Sequence, residues 1–224
     1  MTAPTILFDL DGTLLSTAPD LLASLNFVLE SEGLRTLTEN EVGHQFGQGA
    51  RAMIMHGYRH NAAMADENRL AAMTERFVRH YADNMPGQSA LFPGLAEAMD
   101  RLDGAGMTLA VCTNKREDLA RTLLEGLSLT HRFAAICGGD TFPVRKPDGK
   151  HLLMTIERAG GDPARAVMIG DSSSDILGAK DANIASIAVP FGYTDQPVES
   201  FGPDRVIANY AELTPELIEG LLAR

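Results

Sequence analysis

The feature that most constrains the fold is an alternation of short apolar runs with amphipathic helical patterns. Runs rich in strand-forming residues are followed by segments whose apolar residues recur at helical spacing. The predicted strands span residues 6–10, 107–112, 133–137, 166–170, 184–189 and 205–208. The helices predicted among them span residues 95–102, 118–127, 152–159, 175–182 and 215–222. Strands that alternate with helices predict an α/β fold with a doubly wound parallel sheet covered on both faces.

Residues 17–85 interrupt this alternation, because they carry helical patterns alone. One helix follows Pro19, a capping box at residues 38–41 opens a second, and further helices are predicted at about 50–61 and 66–85. Turn signals at residues 86–89 and 93–94 then return the chain to the alternating pattern. The predicted domains are an α/β core of residues 1–16 and 86–224, and a small all-helical domain of residues 17–85 inserted after the first strand.

Charge and hydropathy restrict the partners and the location. Among 224 residues, 30 Asp and Glu outnumber 19 Lys and Arg, the formal net charge is -11, and no tract is basic. We therefore expect neither nucleic acid nor a membrane as a partner. No segment approaches about 18 consecutive apolar residues and no leader pattern begins the chain, so the expected location is cytoplasmic. Cys112 and Cys137 lie in apolar runs and are expected to be buried thiols rather than a disulfide.

Two carboxylates end the first predicted strand. Residues i and i+2 of a strand point to the same side, so Asp9 and Asp11 are expected to leave the strand together before the chain turns at Gly12. Two carboxylates this close repel each other, and a divalent cation beside them would keep both ionised. The sequence therefore predicts a metal site at this strand end.

Other predicted strands also end on polar residues. In open parallel sheets, ligands bind beyond the carboxyl ends of the strands, near the point where the strand order reverses. The polar strand ends are 9–11, 113–115, 138–140 and 170–175. A site made of Asp9, Asp11, Asp171 and Asp175 with Lys146 has four carboxylates against one ammonium, which leaves three net negative charges. A hard cation, Mg2+ by preference, would offset this charge before an anionic substrate binds.

Four motifs carry a resemblance to a known family. Asp9-x-Asp11-Gly12-Thr13, Thr113-Asn114, Lys146-Pro147 and Gly170-Asp171-Ser172-x-x-Asp175, in that order and spacing, resemble the haloacid dehalogenase superfamily of aspartate-nucleophile phosphatases. Within it, the chain is similar to the phosphoglycolate phosphatases, including their helical cap domain. The resemblance covers nearly the whole chain and implies a Mg2+-dependent phosphatase of a small-molecule phosphoester, 2-phosphoglycolate first among them.

The resemblance also implies a role for each motif residue. Asp9 would be the nucleophile that forms an aspartyl-phosphate, and Asp11 the general acid and base. The metal would be held by Asp9, the Asp11 backbone carbonyl and Asp171, with Asp175 close beside them. The phosphate-binding residues would be Thr113, Asn114 and Lys146. Thr113 and Lys146 would hold the phosphoryl oxygens, and the Asn114 amide would help to fix the loop.

Substrate selection would fall to the helical domain. The loop at residues 46–51 resembles the cap loop of phosphoglycolate phosphatases, and its candidates for contacting the substrate carboxylate are Arg51 and Gln48. His44 and His56 are weaker candidates. The methionines at helical positions are expected to pack this domain, namely Met53, Met55, Met64 and Met73.

Two departures from the family pattern and two alternative functions stay open. Ser16-Thr17 stands where the family often has Asp-Ser, and both still suit a helix N-cap. Asp148-Gly149 follows Lys146-Pro147 where a second proline is common, which predicts a looser loop.

The alternative functions are a sugar-phosphate mutase of the β-phosphoglucomutase kind and a non-catalytic binding or regulatory protein. A dehalogenase proper is disfavoured because those enzymes lack the aspartate that Asp11 supplies. The expected assembly is a monomer or a homodimer.

Overall fold

A computed structural model of the chain describes residues 2–194 and 196–223. Its strands are β1 (Thr5–Phe8), β2 (Leu15–Ser16), β3 (Ala90–Leu91), β4 (Thr108–Cys112), β5 (Ala135–Cys137), β6 (Ala166–Gly170), β7 (Ala185–Ala188) and β8 (Arg205–Val206). Its α-helices are α1 (Ala18–Ser31), α2 (Glu39–Val42), α3 (Ala50–His60), α4 (Glu67–Asn84), α5 (Leu95–Gly104), α6 (Glu117–Gly126), α7 (Gly149–Arg158), α8 (Ser173–Asp181) and α9 (Pro215–Leu222). The strands and helices expected from the sequence are present, with ends shifted by a few residues.

The larger sheet is parallel and has the strand order β5-β4-β1-β6-β7-β8. β1 lies between β4 and β6, so Phe8 is level with Val111 on one side and Ile169 on the other. Every residue of β1 and of β6 is buried, as expected for strands covered on both faces. This confirms the predicted α/β class. Because β4 and β5 extend the sheet on one side of β1 and β6 to β8 on the other, the strand order reverses at β1, where parallel sheets bind ligands.

The chain divides into two compact units, Met1–Ser16 with Leu91–Arg224, and Thr17–Ala90. Residues 86–90, which the sequence assigns to the α/β core, group here with the helices. The Asp20 carboxylate accounts for this, because it accepts hydrogen bonds from the Gln88 N–H at 2.9 Å, the Ser89 N–H at 2.7 Å and the Ser89 hydroxyl at 2.6 Å. The role of the helical unit as a cap stays a prediction.

In the α/β unit, helix α7 packs on the sheet. Leu152 and Ile156 are buried in one cluster with Leu7, Cys112 and Met168. Burying side chains of this size contributes about 1.5–3 kcal/mol each to folding. Both cysteines are free and buried, which confirms that they are thiols in the core. Burial raises the pKa of Cys112 to about 12, so this thiol stays protonated.

In the helical unit, α1, α3 and α4 pack against one another. A Cβ at Gly57 would lie 2.9 Å from Leu29 Cδ2, so glycine permits the close approach of α3 to α1. The predicted capping box is confirmed, because Thr38 and Glu41 bond reciprocally at the start of α2. Thr17 occupies the N-cap position of α1, but its side chain makes no capping hydrogen bond.

The prediction that four methionines pack this unit is only partly right. Met53 is buried, but Met64 is 95% exposed and Met55 36% exposed. Met64 lies between α3 and α4 rather than on a helix, so helical spacing carries no information about its side chain. Across both units, the described residues include no helix that is long and apolar enough to cross a bilayer.

Candidate active site

The polar residues that follow the central strands are held by the sheet itself. The Asp9 N–H donates to Ile169 O at 2.9 Å, and the Thr113 N–H donates to Cys137 O at 3.0 Å. Asp171 directly follows β6. The backbone ladder therefore extends to the residues that begin the site, which places them at the edge where the strand order reverses.

Asp9, Asp171 and Asp175 form a carboxylate cluster. One oxygen of each lies within 4.8 Å of the others. Burial raises the pKa of Asp9 to about 6, against the lowering effect of Lys146. Burial, followed by the charges of Asp175 and Asp9, raises the pKa of Asp171 to about 8. Without a cation, these carboxyl groups therefore resist being ionised together.

Backbone groups and glycines shape the place of Asp171. Its Oδ1 accepts a hydrogen bond from the Thr13 hydroxyl at 2.8 Å, and its Oδ2 accepts one from the Tyr193 N–H at 2.6 Å. A Cβ would lie 2.5 Å from Oδ2 at Gly12 and 2.2 Å from it at Gly192. Gly12 also has a φ of +81°, which other residues rarely adopt. The carboxylate fits only because both positions are glycine.

Lys146 provides a fully buried positive charge. Its Nζ lies 2.6 Å from Asp175 Oδ1 and 2.9 Å from Asp9 Oδ1, and it donates a hydrogen bond to Cys112 O at 2.6 Å. Burial alone would lower the pKa of Lys146, but Asp175 and Asp9 raise it above its usual range. The ammonium is therefore a permanent counter-ion to the Asp9 carboxylate.

The loop that carries Lys146 is held at both ends, while the looser loop expected from the missing proline stays a prediction. The Asn114 side-chain amide donates to Lys146 O at 3.0 Å. Asp148 caps helix α7 through its side chain. A Cβ at Gly149 would lie only 2.4 Å from the Ala182 backbone nitrogen. Glycine thus allows a close backbone approach at this position.

Asp175 joins the lysine to the first turn of helix α8. Its Oδ1 accepts a hydrogen bond from Lys146 at 2.6 Å. Its Oδ2 accepts bonds from the Ser172 N–H at 3.0 Å and the Ser172 hydroxyl at 2.6 Å, which completes a capping box. Both oxygens therefore already accept hydrogen bonds, and Asp175 is held where it can orient Lys146.

Sequence reasoning missed a second cation, Lys115. Its Nζ lies 3.0 Å from Asp11 Oδ1 and 3.1 Å from Asp11 Oδ2. The signal was available, since Lys115 directly follows Thr113 and Asn114 at the end of a strand. With Lys115 included, four carboxylates face two ammonium groups, which leaves two net negative charges. One divalent cation would balance them.

The other predicted residues fall in both units. Thr113 is buried, and its hydroxyl oxygen accepts the Lys115 N–H at 3.2 Å. Arg51 belongs to the helical unit, where it pairs with Glu67 at 2.7 Å, and its side chain is 44% exposed. Gln48, in the same unit, is exposed. The α/β unit holds the remaining predicted residues, which are Asp9, Asp11, Thr113, Asn114, Lys146, Asp171 and Asp175.

The carboxylate cluster has the chemistry of a site for a hard divalent cation. Asp9 Oδ1 is buried and accepts no hydrogen bond of ordinary geometry from the residues that the structure describes. This oxygen lies 2.9 Å from the Lys146 ammonium, and a carboxylate oxygen has a second lone pair that can bind a cation. Asp171 is already oriented by hydrogen bonds to both oxygens. Carboxylate oxygens are the ligands that Mg2+ and Ca2+ prefer, so the donor set fits such an ion.

Comparison with known proteins identifies the family. The model for haloacid dehalogenase-like hydrolases matches residues 6–189. The chain is 50% identical to a phosphoglycolate phosphatase of Agrobacterium fabrum over 222 residues, which cover 99% of this chain and 95% of that protein. It is 47% identical to one of Mesorhizobium japonicum, with 99% and 98% covered. A crystal structure of a predicted phosphoglycolate phosphatase from Haemophilus somnus is 27% identical, with a TM-score of 0.86 and 98% of each chain covered. The chain therefore belongs to the haloacid dehalogenase-like hydrolase family and is a phosphatase of that family.

Proposed function

We propose that this phosphatase hydrolyses 2-phosphoglycolate or a similar small phosphomonoester, with Mg2+ and through an aspartyl-phosphate on Asp9. One observation carries the proposal. The Asp9 carboxylate lies at the switch point of the sheet, and its buried Oδ1 is 2.9 Å from the fully buried Lys146 ammonium without accepting a hydrogen bond of ordinary geometry from the described residues. The names of relatives up to 50% identical support the choice of 2-phosphoglycolate.

The reaction divides into two displacements at phosphorus. In the first, an Asp9 oxygen attacks phosphorus, the phosphorus–oxygen ester bond breaks, and Asp11 gives its proton to the departing alkoxide. In the second, Asp11 takes a proton from water, the water oxygen attacks phosphorus, and the acyl-phosphate bond breaks. Phosphate leaves and Asp9 is regenerated as a carboxylate. Lys146 stabilises Asp9 and the phosphoryl oxygens, which Thr113 also holds.

The metal would be held by the carboxylates of Asp9 and Asp171 and by the Asp11 carbonyl oxygen, with Asp175 beside them. Bound there, Mg2+ supplies positive charge that offsets the carboxylates and the incoming phosphate. The chain's own contribution is to fix Asp171 between Gly12 and Gly192, and to keep Lys146 charged through its contacts with Asp175 and Asp9.

The proposal is tested by phosphate release from a panel of phosphoesters, with Mg2+ and with a chelator. The panel contains 2-phosphoglycolate, p-nitrophenyl phosphate and several sugar phosphates. We expect release that depends on Mg2+ and has its highest kcat/KM with 2-phosphoglycolate. Release that is unchanged by the chelator would contradict the metal, and a higher kcat/KM for sugar phosphates would contradict the substrate. No release from any ester, together with transfer between sugar phosphates, would favour the mutase.

Mg2+ is expected to raise the thermal midpoint of the wild-type protein by about 5–10 °C at a concentration near 100 times its Kd, because it binds the folded state only. Asp171→Asn should lose most of this shift, since it removes one charged oxygen ligand. Differential scanning calorimetry with and without Mg2+ measures both. Asp83→Asn, which changes an exposed aspartate of the helical unit, is the matched control and should keep the full shift. An equal shift in Asp171→Asn would place the ion elsewhere.

Arg51→Ala is expected to raise KM for 2-phosphoglycolate about tenfold more than KM for p-nitrophenyl phosphate. The reason is that the variant loses a charge-assisted hydrogen bond from the Arg51 guanidinium to the carboxylate of 2-phosphoglycolate, a group that p-nitrophenyl phosphate lacks. Steady-state kinetics with both esters measures the ratio. Arg59→Ala, which removes another exposed arginine of helix α3, should leave it unchanged. Equal changes in KM for the two esters after Arg51→Ala would remove Arg51 from substrate recognition.

A further inference from the structure

Lys115 is a cation in the α/β unit that the reaction described above does not use. Both oxygens of Asp11 lie 3.0–3.1 Å from its Nζ. The Lys115 side chain is 7% exposed and the Asp11 side chain 19% exposed. An ion pair this sheltered from water is screened less than a surface pair, so the position of its ammonium matters for any anion that binds beside Asp11.

The backbone of Lys115 is fixed by glycines that follow the neighbouring strand β5. A Cβ at Gly138 would lie 2.6 Å from Lys115 O, and a Cβ at Gly139 would lie 2.6 Å from Asn114 O. The Gly139 N–H donates to Lys115 O at 2.8 Å. A side chain at either glycine would therefore displace the loop. These contacts hold the backbone of Lys115 in a defined position, as a binding residue requires.

The place of Asp11 in the proposed reaction determines what Lys115 can reach. As general acid, Asp11 must lie within hydrogen-bond distance of the ester oxygen of the substrate. In 2-phosphoglycolate, the carboxylate carbon is two bonds from that oxygen. An ammonium about 3 Å from the Asp11 oxygens is therefore within reach of the substrate carboxylate as well.

The two lysines of the site differ in where their positive charge lies. Lys146 is fully buried between Asp9, Asp175 and Cys112 O, so its charge acts on the nucleophile and the phosphoryl group. Lys115 acts on the side of Asp11, where the leaving group departs. A substrate with a carboxylate beside its phosphate adds negative charge on that side. The Lys115 ammonium can donate a charge-assisted hydrogen bond to such a carboxylate.

We propose that the Lys115 ammonium binds the carboxylate of the leaving group, so that the α/β unit itself selects phosphoesters with an anionic group two bonds from the ester oxygen. The inference rests on the proposed function, because it uses the place of Asp11 at the ester oxygen. It adds a second cation to the recognition of the carboxylate, independent of Arg51 in the helical unit.

The test compares two ligands that differ only in this group, 2-phosphoglycolate and 2-hydroxyethyl phosphate. Titration calorimetry with Mg2+ is done in an Asp9→Asn background, which prevents turnover. We expect Lys115→Met to weaken binding of 2-phosphoglycolate about 30-fold and of 2-hydroxyethyl phosphate less than about threefold. Lys115→Arg should keep most of the preference. Equal weakening of both ligands would reduce Lys115 to a residue that positions Asp11, and unchanged binding of both would remove it from the site.

Two controls separate this inference from the proposed function and from loss of fold. Lys150→Met, at an exposed lysine of helix α7, should leave both dissociation constants unchanged. The thermal midpoint of Lys115→Met shows whether that variant is folded. If the wild type releases no phosphate from either ester, the proposed function fails, whereas the binding comparison still judges Lys115. If Arg51→Ala removes the preference and Lys115→Met keeps it, the assignment to Lys115 is overturned.

Discussion

Asp9→Asn is expected to reduce phosphate release by about 10,000-fold or more, with little change in fold. Asparagine has nearly the shape of aspartate, but its neutral amide is not a nucleophile toward phosphorus. The backbone of residue 9 stays bonded to Ile169 O, because this bond does not involve the side chain. Steady-state phosphate release measures the loss, and circular dichroism with thermal unfolding measures the fold.

A trapping experiment separates loss of the nucleophile from loss of binding. After rapid acid quench with substrate labelled at phosphorus, wild type should retain protein-bound label that hydroxylamine removes, as an acyl-phosphate does. Asp9→Asn should retain none, although it still binds the ester in calorimetry. Asp83→Asn should behave as wild type in both assays. Label retained by Asp9→Asn would mean that another side chain attacks phosphorus.

The outline of the site was predictable from the sequence because strand geometry is a local property. Asp9, Thr113 and Asp171 each follow an apolar run, and parallel strands present their carboxyl ends at one edge of a sheet. The alternation of strands and helices therefore determined both the fold and the place of these residues. Motifs that are distant along the chain come together because β1 lies between β4 and β6.

The parts that were not predictable depend on backbone groups and on long-range approach. The Tyr193 N–H donates a hydrogen bond to Asp171, but every residue except proline has a backbone N–H, so the residue type does not indicate this contact. Gly192 and Gly12 must be glycine because the Asp171 carboxylate lies against them, and Gly12 also because its φ is +81°. The strand end at residues 113–115 indicated Lys115 as a polar residue near the site, but not its pairing with Asp11. That pairing depends on where the loop lies, and the loop backbone is in close contact with Gly138 and Gly139, which follow another strand.

The charge balance changes with this pairing. Counted from the sequence with Lys146 alone, the site has three excess negative charges, and one divalent cation would leave it with one. With Lys115 the excess is two, so one divalent cation would bring the protein groups to neutrality. A neutral site repels an incoming phosphoester less than a site with excess negative charge does. That balance explains how a chain with a net charge of -11 can bind an anionic substrate.

Lys146→Met is expected to destabilise the protein by about 3–5 kcal/mol and to reduce activity together with stability. The ammonium is fully buried between Asp175 and Asp9, and methionine has a similar length without the charge. Removing it leaves the Asp175 carboxylate, which is also fully buried, without its cation. Urea unfolding at equilibrium measures the free energy of unfolding. Lys180→Met, at an exposed lysine of helix α8, should cost less than about 1 kcal/mol.

A double variant shows whether the lost stability comes from the ion pair. Lys146→Met with Asp175→Asn removes both charges, so the penalty for an uncompensated buried carboxylate disappears, and we expect about half or more of the lost stability to return. Phosphate release should stay lost, because neither change restores the cation beside Asp9. If the double variant is as unstable as Lys146→Met alone, the loss arises from packing around the lysine stem rather than from charge. If its activity returns with its stability, Lys146 supports the fold and takes no part in the phosphoryl site.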